Sequence, residues 1–334
     1  MVRRFSYLSH KVSVIILNWN GCEDTIECLT SLQKCDLRNI QVILIDNGSE
    51  DSSVEKVLAW ANKSHVSTLD IDHKYAVNQE TDFRCFHNSK LIIIKSKKNL
   101  GFAEGNNVGI RFALKVSKPD YLLLLNNDTV VDANFLKRLI NAFTVFPNAG
   151  FAGPKVYYYD YFGQKNVIDS AGGKIDFWTG RAFNLMSRTI DQRDDEQYKI
   201  VDFIQGSCIL LQVKVIQEIG LLDQQYFAYW EECDWCIRAK RKGYISVYVP
   251  TSMIWHKIAA SNKGSKNIYW LIRNRFIFMK KNANTFQLVT FYIFFWLVHF
   301  WIQALGFLVK KETDKLSSYF KGLIEGQKIF FFRL

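Results

Sequence analysis

The hydrophobic pattern of the first 130 residues repeats one unit. A short apolar run rich in branched side chains ends in a polar turn, and a helix-period segment follows. "VSVIILNWN" leads into "EDTIECLTSLQKC", where Ile26, Leu29 and Leu32 fall on one helical face. "QVILIDNGSEDSS" leads into "VEKVLAWANK", and "LIIIKSKKNLGFAEG" into "NNVGIRFALKV". Continuously apolar strands in strand–turn–helix repeats predict a parallel α/β sheet covered by helices on both faces. "YLLLLNNDTVV" supplies a fourth strand. Ligands of such sheets lie beyond the carboxyl ends of the strands. Asn18, Asn20, Asp46, Asn47 and the cluster Asn126, Asn127 and Asp128 all fall there.

The rhythm then changes. Residues 62–90 are polar and uneven and read as an insertion or long loop. Residues 150–205 break into short β-like pieces with glycines, and "VKVIQEIG" reads as a helix. "FAYWEECDWCIRAKRKG" reads as a helix that opens on acids and closes on Lys and Arg, a polarity that complements the helix dipole. Residues 282–309 hold no Asp, Glu, Lys or Arg and are overwhelmingly apolar and aromatic. That stretch is long enough to cross a bilayer, with Lys280–Lys281 and Lys310–Lys311 as basic flanks. An interfacial helix or a buried helix fits the same pattern, and Gln287, His299 and Gln303 keep the latter open, with membrane association expected.

Composition narrows the class. The 334 residues suffice for one large domain or a domain with an appendage. With 49% hydrophobic residues, 15% aromatic residues and four prolines, a packed core is expected and long disorder is not. The seven cysteines form no paired framework; Cys233 and Cys236 make a C-x-x-C without a second pair, so reduced thiols are expected rather than a zinc site. Nothing resembles a signal peptide. The net charge of +11 is concentrated at residues 95–98, 238–242 and 257–281. It suits an anionic membrane surface or a nucleotide. No helix-turn-helix, zinc-finger or RNA-recognition signature accompanies it, so a nucleic-acid partner is not expected.

Four places carry candidate chemistry. Asp46 ends an apolar strand and suits a base imide or ribose hydroxyl, although "DNGSEDSS" equally suits an N-cap or Asx turn. "NLGFAEGNN" is a glycine turn opening a helix, where backbone N–H groups and the dipole favour phosphate. Asp128 offers an oxygen ligand for Mg²⁺ or Mn²⁺, which take one or two carboxylates plus substrate phosphates. Asn126 beside it has an amide oxygen for the metal or a sugar hydroxyl. Glu231, Glu232 and Asp234 crowd a predicted helix start among aromatic residues, which raises at least one carboxyl pKa and suits a general base. His256, in "IWHK", is either a further metal ligand or a structural histidine.

Taken in order, "VSVIILNWNG", "VILIDNGSEDSS", "NLGFAEGNNVGI", "LLLLNNDTVV", "QGSCILL", "FAYWEECDWCIRAKRKGY" and "WHK" resemble the family 2 glycosyltransferases, in particular the rhamnosyltransferase-like bacterial and archaeal members. The likeness covers about residues 11–260, and "YWLIRNRFIF" extends it to roughly 280. It implies a GT-A fold: a Rossmann-like, mainly parallel central sheet flanked by helices, with a C-terminal hydrophobic helical region. The implied catalytic domain is residues 1–260, with a nucleotide-binding part at about 11–125 and a metal and acceptor part at 126–260. Residues 261–334 would be a membrane-associated helical region, on the cytoplasmic face.

The resemblance further implies a nucleotide-sugar donor (dTDP- or UDP-linked), a divalent metal (Mg²⁺ or Mn²⁺), inversion at the anomeric carbon and a glycan or lipid-linked acceptor. By position, Asn18 and Asn20 border the base and ribose, and Asp46, beside Asn47, holds the base. Asn99, Gly101 and Asn106 line the nucleotide side. Asn126, Asn127 and Asp128 stand at the D-x-D motif, with Asp128 and His256 as metal ligands. Glu232 stands at the catalytic base; Gly206, Ser207, Trp230, Glu231 and Asp234 stand on the acceptor side. Two departures are visible: Asn126 replaces the first acid of the motif, and Glu232 is one methylene longer than the usual aspartate. Competing readings are a nucleotidyltransferase acting on a sugar phosphate and a non-catalytic GT-A-like subunit of a membrane assembly.

Overall fold

A computed structural model describes residues 10–36, 38–74, 86, 89–192, 196–258 and 265–332. The apolar runs become the strands β1 (Val12–Asn18), β2 (Ile40–Asp46), β3 (Thr68–Asp72), β4 (Leu91–Lys95) and β5 (Tyr121–Asn126). β1 pairs in parallel with β2 on one side and β5 on the other, and β4 lies parallel to both β2 and β3.

The second half of the chain adds β6 (Thr129–Val131), β7 (Ala149–Tyr158), β8 (Val167–Ser170), β9 (Gly173–Asp176), β10 (Arg181–Asn184), β11 (Thr189–Ile190), β12 (Lys199–Val201), β13 (Cys208–Gln212) and β14 (Ile245–His256). The spatial order is β11–β8–β7–β13–β5–β1–β2–β4–β3, so the antiparallel β13 joins the two halves through β5. β14 runs parallel to β7 and antiparallel to β6, and β9 and β10 form a separate hairpin.

The helices are α1 (Cys22–Leu32), α2 (Ser53–Lys63), α3 (Gly101–Val116), α4 (Phe135–Val145), α5 (Val213–Ile219), α6 (Glu231–Arg241), α7 (Ser265–Asn282), α8 (Thr285–Val309) and α9 (Thr313–Phe332). Because side chains alternate along a strand, each central strand feeds two cores. Ile15, Ile43, Ile92 and Leu124 face α3, α6 and α7, whereas Val14, Leu44, Ile93 and Leu123 face α1, α2 and α4. α3 lies tight on β1. A Cβ at Gly105 would meet Leu17 Cδ1 at 2.6 Å, and one at Gly109 would meet Ile15 Cγ2 at 2.6 Å.

Two expectations change. The fourth apolar run is not one strand: β5 stops at Asn126, Asn127 and Asp128 form a turn, and β6 leaves to pair with β14. The segment expected as an insertion contains the end of α2 and the edge strand β3, while residues 75–85 and 87–88 lie outside those described. The boundary drawn at 260 falls outside the described residues, and α7 beyond it contributes Leu271 to the lining of a cavity at the sheet's carboxyl edge. The six described cysteines are buried free thiols, Cys233 and Cys236 among them. α8 has 25 residues and a mean hydropathy of 1.8 and is long and apolar enough to cross a membrane.

Candidate active site

At the carboxyl ends of β1 and β5 the sheet opens on a cavity of about 700 Å³. Its first wall is the "NWNG" turn. Trp19 is half exposed and Asn20 takes a left-handed backbone (φ 51°); both line the cavity. Beneath them Asn18 and Asp46 are locked together. The Asn18 amide donates to Asp46 Oδ1 at 3.0 Å and to Ser49 Oγ at 3.1 Å, while Ser49 Oγ donates to Asp46 Oδ1 at 2.6 Å. Asn18 and Asp46 thus sit under the cavity floor rather than on it.

The second wall is the β5–β6 turn. Asn126, Asn127 and Asp128 all line the cavity. Asn127 donates to Thr25 Oγ1 at 3.1 Å, which ties the turn to α1. Since Thr129 pairs with His256 across β6 and β14, the imidazole arrives beside Asp128, with Nε2 3.2 Å from Asp128 Oδ1. The Lys257 backbone N–H donates to the Asp128 carbonyl at 2.9 Å, and its ammonium pairs with Asp24 at 2.6 Å and with Glu27.

Behind His256 stands Asp169, with Oδ2 3.5 Å from Nδ1. Val156 pairs with Ser170 and Tyr157 with Ile168, so Asp169 is the extra residue of a β-bulge and its carboxylate is turned inward. Gln205 donates to Asp169 Oδ2 at 2.7 Å, and Ser207 Oγ donates to Gln205 Oε1 at 3.0 Å. Burial lowers the His256 pKa, but hydrogen bonds and charge from Asp128 and Asp169 overcome this and push it up to about 9. The site therefore favours a cation.

A divalent metal fits here. Ligands about 2.1 Å from a small octahedral ion stand about 3 Å apart when adjacent, and Asp128 Oδ1 and His256 Nε2 are 3.2 Å apart. The imidazole backed by a carboxylate is the outer-shell arrangement of metal-binding histidines. Among the described residues no group of three or more His, Cys, Asp or Glu side chains has metal-ligand spacing, so Asp128 and His256 are the two side chains here with the chemistry to hold such an ion.

The third wall is the start of α6. Phe227, Tyr229 and Trp230 carry positive φ values of 61°, 69° and 77°, a conformation costly for large residues. Asn274 of α7, fully buried, holds them there. Its amide donates to the Tyr226, Ala228 and Tyr229 carbonyls at 2.7, 2.7 and 2.9 Å. The bent loop delivers Glu231 and Glu232 to the cavity, each with a buried Oε2 that has no hydrogen-bond partner among the described residues. Burial pushes the Glu232 carboxyl up to about 7, against the pull of backbone N–H groups at the helix start. Burial, then the neighbouring Glu232 charge, raises Glu231 well above the usual carboxylate range.

Gly206, Ser207 and Trp230 also line the cavity, so it gathers ten of the residues singled out in the sequence: Asn20, Asn126, Asn127, Asp128, Gly206, Ser207, Trp230, Glu231, Glu232 and His256. Two expectations are corrected. Asp234 faces away, fully buried, and bonds to Arg238 at 2.8 Å, Lys281 at 3.1 Å and Asn282 at 3.1 Å, fastening α6 to the end of α7. The start of α3 offers no ready phosphate cradle. The Leu100 and Gly101 N–H groups donate to Asn47 and Asn99 side chains at 2.9 and 2.8 Å, and those of Phe102 and Ala103 donate to the Phe227 carbonyl. Asn47, Asn99, Gly101 and Asn106 are thereby bound into the scaffold, Asn106 through the Phe102 carbonyl at 2.9 Å.

Asp169, Gln205 and Asn274 were not singled out in the sequence. The one available signal was a carboxylate inside the apolar piece "NVIDSAGG". Gln205 and Asn274 fall inside the quoted stretches "QGSCILL" and "YWLIRNRFIF", but nothing local assigns either a role, since Asp169 and the Tyr226–Tyr229 carbonyls lie on other elements.

Comparison with known proteins agrees with this architecture. The family described as Glycosyl transferase family 2 matches residues 13–220, more than half of the chain. The low-salt glycan biosynthesis hexosyltransferase Agl10 of Haloferax volcanii is 23% identical over 88% of this chain and 93% of its own length. The N-acetylglucosaminyl-diphospho-decaprenol L-rhamnosyltransferase of Mycobacterium tuberculosis is 24% identical over 70% of this chain and 71% of its own. Among solved structures, the mannosyltransferase PcManGT from Pyrobaculum calidifontis with GDP-Man and Mn²⁺ superposes with a TM-score of 0.55 at 12% identity, covering 97% of this chain and 88% of that one. GalNAc-T7 with UDP, GalNAc and Mn²⁺ gives 0.56 at 16% identity over 74% of this chain; the match spans 43% of that structure's length. The chain belongs to glycosyltransferase family 2, as a rhamnosyltransferase-like member with the GT-A fold.

Proposed function

We propose that the protein is an inverting glycosyltransferase that moves L-rhamnose from dTDP-L-rhamnose, or a hexose from a UDP-sugar, onto a glycan or lipid-linked acceptor in cell-surface polysaccharide or glycoconjugate synthesis. The observation that carries this reading is one cavity holding both a carboxyl near neutrality, Glu232, and the Asp128–His256 pair. The rhamnosyltransferase and hexosyltransferase names of the relatives support the sugar classes.

Glu232 accepts the proton of an acceptor hydroxyl, whose oxygen attacks the anomeric carbon from the face opposite the diphosphate. The carbon–oxygen bond to the diphosphate breaks, and the leaving group takes its electron pair. Asp128 and His256 would hold a divalent ion, which when bound offsets the charge developing on that diphosphate. Asp169 keeps the imidazole turned toward Asp128. Asn20, Asn126 and Asn127 contact the donor directly, while Asn18, Asp46, Asn47, Asn99, Gly101 and Asn106 shape that side from beneath. Gly206, Ser207, Trp230 and Glu231 form the acceptor side. The apolar helix α8 supports a position at the cytoplasmic face of the membrane.

The test is Glu232→Gln. Sugar transfer should collapse while donor binding survives; unchanged transfer would remove Glu232 as the base. Product mass spectrometry separates glycosyl transfer from nucleotidyl transfer, a reading that leaves the Glu231 and Glu232 pair without a task.

A further inference from the structure

Helices α8 and α9 pack as an antiparallel hairpin along the flank of the catalytic body. Aromatic contacts run its length: Tyr292 with Phe330 at 5.1 Å, Phe300 with Phe320 at 5.9 Å and Phe307 with Tyr319 at 6.0 Å. The inner face of α8 is tied down as well. Phe291 and Phe295 are fully buried against Phe276, at 5.4 and 4.9 Å, with the Arg275 guanidinium over both rings. α9 in turn lies backbone to backbone on α7, since a Cβ at Gly322 would come 2.4 Å from the Tyr269 carbonyl oxygen. Glu325 accepts from Tyr269 and pairs with Arg273 at 3.3 Å.

The outer face of α8 is the opposite material. Phe286, Leu297, Trp301, Ile302 and Val309 are 78, 72, 55, 63 and 82% exposed. The tip of the hairpin, residues 310–315, reads "KKETDK".

Building on the membrane association proposed above, we propose that this hairpin lies in the plane of one leaflet and does not cross the bilayer. A span of α8 would take its buried face off Arg275 and α9, or drag Asp314, Lys315, Lys321 and Glu325 to bilayer depth, where charges are costly. Crossing would also carry the charged tip through the hydrocarbon. In the plane, the apolar stripe enters the acyl boundary, Trp296 and Trp301 sit at headgroup level, and Lys310 and Lys311 meet anionic lipid. The occupant of the stripe is therefore an anionic lipid surface. The placement bears on the cavity, because Phe291 touches Gly180 in the β9–β10 turn, where a Cβ would meet Phe291 Cδ2 at 2.6 Å, and β10 supplies Ala182, Phe183 and Asn184 to the cavity lining. A lipid-linked acceptor lying in the same leaflet reaches the site without leaving the membrane.

The test uses the full chain carrying Lys310→Cys, bound to sealed vesicles of phosphatidylcholine and phosphatidylglycerol with the catalytic domain outside, and a membrane-impermeant maleimide. Labelling equal before and after detergent permeabilisation, above that of the unsubstituted chain, is the expected result. Labelling only after permeabilisation puts the tip across the bilayer and overturns the in-plane geometry alone. Failure of the chain to float with the vesicles overturns the membrane reading itself, and a dimer in its place gives the stripe to a second copy. Lys311→Cys repeats the measurement if Lys310→Cys does not fold.

Discussion

His256 Nε2 stands 3.2 Å from Asp128 Oδ1 while its other ring nitrogen faces Asp169 Oδ2 at 3.5 Å. The three side chains come from β14, the β5–β6 turn and a bulge in β8. Each depends on a register that places it within reach of the others, so this contact reports on the whole second half of the sheet. It also sets the order in which the site's residues should fail when altered.

Asp169→Asn keeps the shape but removes the charge behind the imidazole. Mn²⁺ affinity, read by electron paramagnetic resonance titration of the folded protein, should fall on the order of 10- to 100-fold. Asp128→Ala should weaken it further. An unchanged affinity in Asp169→Asn would reduce Asp169 to a structural partner of Gln205.

Glu232→Gln removes the proton acceptor and little volume. Transfer should drop on the order of 10²- to 10⁴-fold, with the donor-induced rise in melting temperature retained, since binding to the native state stabilises it by mass action.

The same residue predicts two pH effects. With its carboxyl at about 7, the rate should rise as pH passes through that value, and Glu232→Gln should abolish the rise. Stability runs the other way. The folded-state pKa lies above the ordinary glutamate value of 4.5, so this group's contribution is fully present below about 4.5 and is lost as pH rises through about 7. Melting temperature against pH should therefore decline over that window, and less so in Glu232→Gln.

Asn274→Ala leaves the Tyr226, Ala228 and Tyr229 carbonyls without their donor. A buried polar group without its partner costs about 1–3 kcal/mol, and the bent loop before α6 loses its clamp. The melting temperature should fall by several degrees, and the turnover rate should fall with it because Glu232 loses its placement. A variant with wild-type melting and turnover would show that the loop keeps its shape unaided.

Much of the fold was legible in the order of residues. Apolar runs such as "VSVIIL" and "LIIIK" become interior parallel strands because burial on both faces demands continuous hydrophobicity. The acids and bases at the two ends of α6 marked that helix. Asp128, Glu232 and His256 were visible as polar residues where an apolar pattern should have continued or a dipole alone explained too little. The roles of neighbouring residues were harder to read. Asp234 shares a helical turn with Glu231 yet points into an ion-pair network, and the N–H groups after Asn99 are claimed by Asn47 and Phe227.

The sequence by itself determined the strand and helix periods, the sheet class and the chemistry of the residues at strand ends, because these depend on local pattern and side-chain type. Only the tertiary structure decided which of those residues share the cavity. That choice rests on register and long-range bonds: a bulge that turns Asp169 inward, a β6–β14 pairing that brings His256 to Asp128, and one buried amide at Asn274 that bends the loop carrying Glu232. It likewise decided that α8 has one face packed and one face bare, a distinction that an uninterrupted run of apolar residues cannot encode.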